Sequence, residues 1–136
     1  MKIYENKSQF GWEDDGGIGE RLIQQIIKAE KTATAGPKDL YSAGELKDLY
    51  DSVGKHTTVI DKDQRPRCNI RILEVFETRF GSLDPRLVQG EGYGSDAEAF
   101  RESHRKAWVD LVKKGQLELS DETILVVELF ELVANE

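Results

Sequence analysis

The sequence predicts an α+β fold: a bent, mostly antiparallel or mixed sheet, closed towards a partial barrel and flanked by two main helices. Three observations carry this prediction. Two stretches, near residues 18–29 and 95–115, place apolar side chains at helical spacing. A long strand pattern starting at Arg67 changes phase midway. The closing run 123–133, TILVVELFELV, is rich in β-formers and reads as a buried central strand. Two main helices among several strands are too few and too scattered for a doubly wound α/β sheet.

The elements follow in order. Glycines and acids at 13–17 make a loop, after which Ile18, Leu22, Ile23, Ile26 and Ile27 mark one helical face. Residues 32–36, TATAG, have the β-branched residues of a short strand, and Gly36-Pro37 ends it. A short helix fits 43–51, and HTTVID at 56–61 reads as a strand with a turn at 61–65. In the next strand Cys68, Ile70 and Ile72 share a face, whereas Leu73 and Val75 continue the apolar pattern on the other parity. A slip of one residue is what a β-bulge produces, and bulged long strands bend into barrels. Ser95 and Glu98 are spaced as a capping box. The helix they start is expected to bury Ala97, Phe100, His104, Ala107, Trp108 and Leu111, and to stop at Gly115.

At 136 residues the chain is expected to form one domain, 1–136, with a core that needs no disulfide. The lone cysteine, Cys68, has no partner within the chain. The first fifteen residues lack the apolar core of a signal peptide, and no run approaches the length that crosses a bilayer. A cytoplasmic location is the resulting expectation. The net charge of −7 disfavours nucleic acid, but the charge is uneven. Residues 116–136 carry six acids and no lysine or arginine. Lys62, Arg65, Arg67 and Arg71 cluster against one acid, and Arg101, Arg105, Lys106, Lys113 and Lys114 form a second group. These clusters read either as local positive surfaces or as solvated faces.

Lys31 and Thr34 form the first candidate site. Three residues apart in a regular strand they would point to opposite faces, but they converge if Lys31 lies in the turn leaving the helix. The plain reading of Lys31 is a cation complementing the helix dipole. The chemical one is a desolvated lysine that activates a threonine hydroxyl. Gly90-Glu91-Gly92 precedes the second helix, where glycine loops can cradle phosphate, but Glu91 would repel one. A tight structural loop holding a carboxylate near a cleft is the better reading. His104 lies on an apolar stripe with no partner at a metal-ligand spacing, so no structural zinc is expected, and no cofactor is predicted. Trp12 and Trp108 read as core residues or as platforms for bases.

Taken in order, these pieces resemble the ASCH domain family, relatives of the PUA RNA-binding domain, in its longer bacterial type. The residues that carry the likeness are Phe10-Gly11, Lys31-Thr32-Ala33-Thr34, Leu40-Tyr41, Val53-Gly54, and Val59-Ile60-Asp61. Pro66 with Cys68 and Ile70, the Gly90-Glu91-Gly92 loop, Arg101 with His104, and the run 125–133 complete it. The resemblance implies a PUA-like half-barrel with a cleft for RNA or a nucleoside. It also implies RNA binding, ribonuclease activity or hydrolysis of the acetyl amide of N4-acetylcytidine. Carried over by position, Lys31, Thr34 and Glu91 would be catalytic. Tyr41, Arg67, Arg71, Tyr93, Arg101, His104 and Arg105 would contact RNA or a modified nucleoside. No membrane and no DNA-specific partner is expected, the involvement of a divalent metal is left open, and a non-catalytic RNA-binding module is the alternative.

Overall fold

The computed structural model describes residues 1–133; Glu136, one of the acids in the C-terminal charge count, lies outside them. The chain runs β1 (Lys7–Gln9), α1 (Ile18–Ile27), β2 (Ala33–Pro37), a 3₁₀ turn at Lys38–Leu40, α2 (Ala43–Asp51), β3 (His56–Ile60) and β4 (Pro66–Arg79). It continues through α3 (Pro85–Gly90), α4 (Ala97–Ala107), α5 (Val109–Lys113) and β5 (Ile124–Leu132). The strands form one curled, half-barrel sheet in the order β1-β3-β4-β5-β2. The β1–β3 pair is parallel, and the other three pairs are antiparallel.

The phase slip in β4 is a register shift between Ile72 and Glu74 in its pairing with β5. Ile72 and Val75 on either side of it are buried, so the extra residue lets both face the same core. Leu73 corrects the sequence reading: it is the unpaired bulge residue and is exposed. The core lies in two clusters. One gathers Phe10, Ile23 and Ile26 with Ile70, Ile72, Val75, Val126 and Phe130. The other gathers Ala33, Phe80, Leu87, Val88 and Phe100 with Leu125 and Val127. Alternate residues of β5 thus feed opposite faces of the sheet, as the strand period of two requires.

The second helix departs from expectation in three ways. Its N-cap is Asp96, whose carboxylate accepts from Ala99 N at 3.0 Å, rather than Ser95 in a capping box. The helix also breaks at Trp108 before α5, so its stripe is interrupted. Finally, Ala107 is exposed, and of the expected stripe only Phe100 is fully buried. Two elements carry weak sequence signals and were not anticipated. They are β1, three polar residues paired only with β3, and α3, a helix of six residues.

The end of α1 positions the site. Ala29 N–H donates to Ile26 O and Glu30 N–H to Gln25 O, the paired bonds of a Schellman motif. Lys31 N–H also donates to Gln25 O, so the backbone of the lysine is tied to the helix. The residue at the left-handed position is Ala29, with φ of 59°. A left-handed alanine costs about 1–2 kcal/mol, more than the backbone entropy glycine loses on folding. Ala29→Gly is therefore expected to stabilise the protein by about 0.5–1 kcal/mol and raise Tm by a few degrees in thermal melts.

Candidate active site

Lys31 follows that turn and is 3% exposed. Its Nζ donates to Ala33 O at 2.8 Å and pairs with Glu91 Oε1 at 3.5 Å. The helix-dipole reading is thus replaced by a lysine folded inward from the helix end. Burial pushes its ammonium pKa down, and the carboxylates of Glu91 and Glu128 partly offset this.

Glu91 comes from the far side of the sheet edge. The Gly90-Glu91-Gly92 loop is not the entry to a helix, as the sequence suggested, but the C-terminal end of α3, with Glu91 at its C-cap. Thr32 N–H donates to Gly90 O at 2.8 Å and draws this end against β2. Only glycine fits there, because a Cβ on Gly90 would lie 2.5 Å from Ala33 Cβ. Glu91 Oε1 faces Lys31 Nζ and also His104 Nε2, at 3.4 Å. The other oxygen, Oε2, is buried without a hydrogen-bond partner among the described residues.

His104 is fixed by its surroundings. Its Nδ1 lies 2.8 Å from Phe100 O, so that nitrogen carries the hydrogen and Nε2 is turned to Glu91. The ring stacks on Phe100 with centroids 3.9 Å apart and meets Trp108 edge-on at 5.0 Å. It is thus at the edge of the core and reaches into the site.

Lys31, Thr34, Glu91, Tyr93 and His104 line one cleft of about 410 Å³, floored by β2 and walled by Trp12, Ile18, Leu22 and α4. Asp15 holds the Trp12 wall, its carboxylate accepting from Trp12, Gly17 and Gly19 N–H. Among the described residues no hydrogen bond joins Lys31 to Thr34; the lysine is held one residue short of it, on the Ala33 carbonyl.

The remaining predicted contact residues lie elsewhere. Tyr41 lines a second cavity of about 610 Å³, which meets the first at Gln9. Its hydroxyl occupies the space beside Gly36, where a Cβ would approach it to 2.7 Å. Each of the four arginines is ion-paired. Arg67 bridges Glu20 and Asp61, and Arg71 holds Glu131. Arg101 holds Glu98 and donates to the carbonyls of Phe80 and Gly81. Arg105 holds Glu98 and Glu102.

One site residue escaped the sequence reading. Glu128 in β5 stands directly opposite Thr34 in β2, so the two side chains share a face. Burial raises its carboxyl pKa to about 7, against the opposing pull of Lys31. The signal was present in the sequence as an acid amid a buried β run, since a charge there requires a partner. Among the described residues no three or more His, Cys, Asp or Glu side chains gather as a metal site, and no helix is long and apolar enough to cross a membrane.

The model of the ASCH domain matches residues 8–134. The chain belongs to the ASCH domain family, which is generally associated with RNA. Among solved structures it is similar to an ASCH domain from Lactobacillus crispatus JV V101, with 23% identity and a TM-score of 0.73, covering 95% of this chain and 80% of that one. It is also similar to protein EF3133 from Enterococcus faecalis V583, with 22% identity and a TM-score of 0.76, covering 98% and 83%. The hypothetical protein PH0355 is more distant, at 13% identity and a TM-score of 0.53, covering 93% and 99%. At these identities the likenesses establish the PUA-like α+β fold. No curated protein matches the chain.

Proposed function

We propose that this ASCH protein is a hydrolase of RNA-derived nucleosides that cleaves the acyl amide of an N4-acylated cytidine. The observation that carries the reading is the buried Lys31–Glu91 pair opening on the same cleft as Thr34. Desolvation favours the neutral amine of Lys31, the form needed to take the proton of Thr34 Oγ1 as that oxygen attacks the acyl carbon. The proton passes from Lys31 to Glu91 and on to the leaving cytosine nitrogen as the C–N bond breaks. Water then attacks the threonine ester, loses its proton to Lys31 and releases the carboxylic acid, with the proton returning to Thr34. His104 flanks Glu91 on its other side, with Nε2 3.4 Å from Oε1.

Phosphodiester cleavage is less well supported, because the arginines that would grip a phosphate chain are each held by carboxylates. The test incubates the protein with N4-acetylcytidine and with single-stranded RNA and follows cytidine and RNA fragments by chromatography. Cytidine is expected to form, and Thr34→Ala is expected to slow it about 10²-fold or more. No turnover by the wild type, or equal turnover by the variant, sinks the proposal. Salt-sensitive RNA binding that survives Thr34→Ala without turnover would favour a binding module instead.

A further inference from the structure

The floor of the cleft is an open sheet edge. Strand β2 is the last of the sheet and pairs only with β5. Phe130 N–H donates to Thr32 O, and with Thr32 opposite Phe130 this fixes the ladder. Thr34 and Gly36 turn both backbone groups towards β5, as Thr32 does its carbonyl, whereas Ala33, Ala35 and Pro37 turn theirs away from it. Of the outward groups, Ala33 O is already taken by Lys31 Nζ, and Pro37 has no N–H. Of the three, Ala35 alone keeps both outward groups open, its N–H and C=O side by side. It lines the cleft, and neither group has a hydrogen-bond partner among the described residues.

One such pair is too short to template an extended peptide, which needs a row of outward donors and acceptors. It matches instead a planar ring whose edge sets a donor beside an acceptor, as in an aminopyrimidine or a cyclic amide. The cleft walls suit the faces of such a ring. Trp12, more than half exposed, lines it together with Tyr93, His104 and Trp108, whose rings neighbour one another around His104. Base–aromatic contacts of this kind tolerate any base and leave discrimination to the ring edge.

We infer that the outward backbone pair of Ala35 is the specificity element of the cleft, reading the donor–acceptor edge of a planar nitrogen heterocycle held against its aromatic lining. This deepens the nucleoside reading above and rests on it for the ligand class. It assigns recognition to the backbone of a residue whose side chain is a single methyl.

Binding isotherms with unmodified nucleosides provide the test and need no hydrolysis. Cytidine should bind at least about tenfold more tightly than 3-deazacytidine, whose ring acceptor is a C–H, because Ala35 N–H is then left unpaired. Uridine should exceed 3-methyluridine, whose donor is blocked, by a similar factor. Ala35→Pro deletes the N–H without touching the β2–β5 ladder, and an outward edge position is where proline is tolerated. It should weaken cytidine binding about tenfold and melt within a few degrees of the wild type. Equal affinities for cytidine and 3-deazacytidine, or no binding of cytidine at all, overturn the inference, as does full affinity in a folded Ala35→Pro. If that variant does not fold, the analogue pairs decide. Hydrolysis of N4-acetylcytidine alongside equal analogue affinities would retain the hydrolase reading and discard this one.

Discussion

Lys31→Met should reduce turnover of an acylated cytidine by about 10³-fold or more while leaving the shape of the cleft intact. Methionine keeps much of the lysine stem, and the stem is what packs at a site 3% exposed. What it loses is the group that bonds Ala33 O and faces Glu91. The same change removes the cation that faces Glu91, and with it the charge that partly offsets the burial of Glu128 on the neighbouring strand. Breaking a buried pair by removing one partner costs about 3–5 kcal/mol. Here the Glu128 carboxyl, raised to about 7, takes up a proton as pH falls, so the loss should be largest near pH 8 and shrink towards pH 5. Stopped assays with thermal melts at both pH values separate the two effects. A variant with wild-type turnover would remove Lys31 from the chemistry.

Glu128→Gln gives the second large effect, and its sign is opposite. The folded-state pKa of Glu128 is raised from 4.5 to about 7. Between those values the native protein holds a proton that the unfolded chain releases, so stability falls as pH rises through this window. Above about pH 7 the ionised carboxylate carries its full burial cost. Gln keeps the shape without that cost, and Lys31 keeps Glu91 as its partner. The variant should therefore be more stable than the wild type by about 2 kcal/mol at pH 8, and close to it at pH 4.5. Melting curves at the two pH values check this. A wild type that gains as much stability as the variant between pH 4.5 and pH 8 would contradict the half-buried, costly carboxylate.

How legible these features were in the sequence depended on their physical origin. Ile23 and Ile26, the phase slip after Ile72, and the run in β5 all reflect side-chain burial, which leaves a period in the sequence, whereas Ile18 and Ile27 of the expected helical face are exposed. These signals gave α1, the bulge and the central strand close to their observed positions. β1 left no trace because it is held by backbone pairing to β3 and its side chains are polar. Ser95 and Asp96 were both suitable caps, and only geometry decides between neighbouring acceptors. The convergence of Lys31, Thr34 and Glu91 on one cleft was suggested by motif order, but its cause is a close approach at Gly90 that no local pattern encodes. The arginine clusters were legible as charge. Their pairing was not, because Glu20 and Glu131 lie 47 and 60 residues away from the arginines they hold.

The alternation along β5 has a consequence for how the molecule comes apart. Val126 and Phe130 belong to one apolar cluster, and Leu125 and Val127 to the other. A single strand is thus the common wall of two cores. Melting either one strips a face from the strand that supports its neighbour, so neither cluster has a stable existence alone. Both should be lost in one cooperative transition, and the cleft at the edge of β2 should vanish with them.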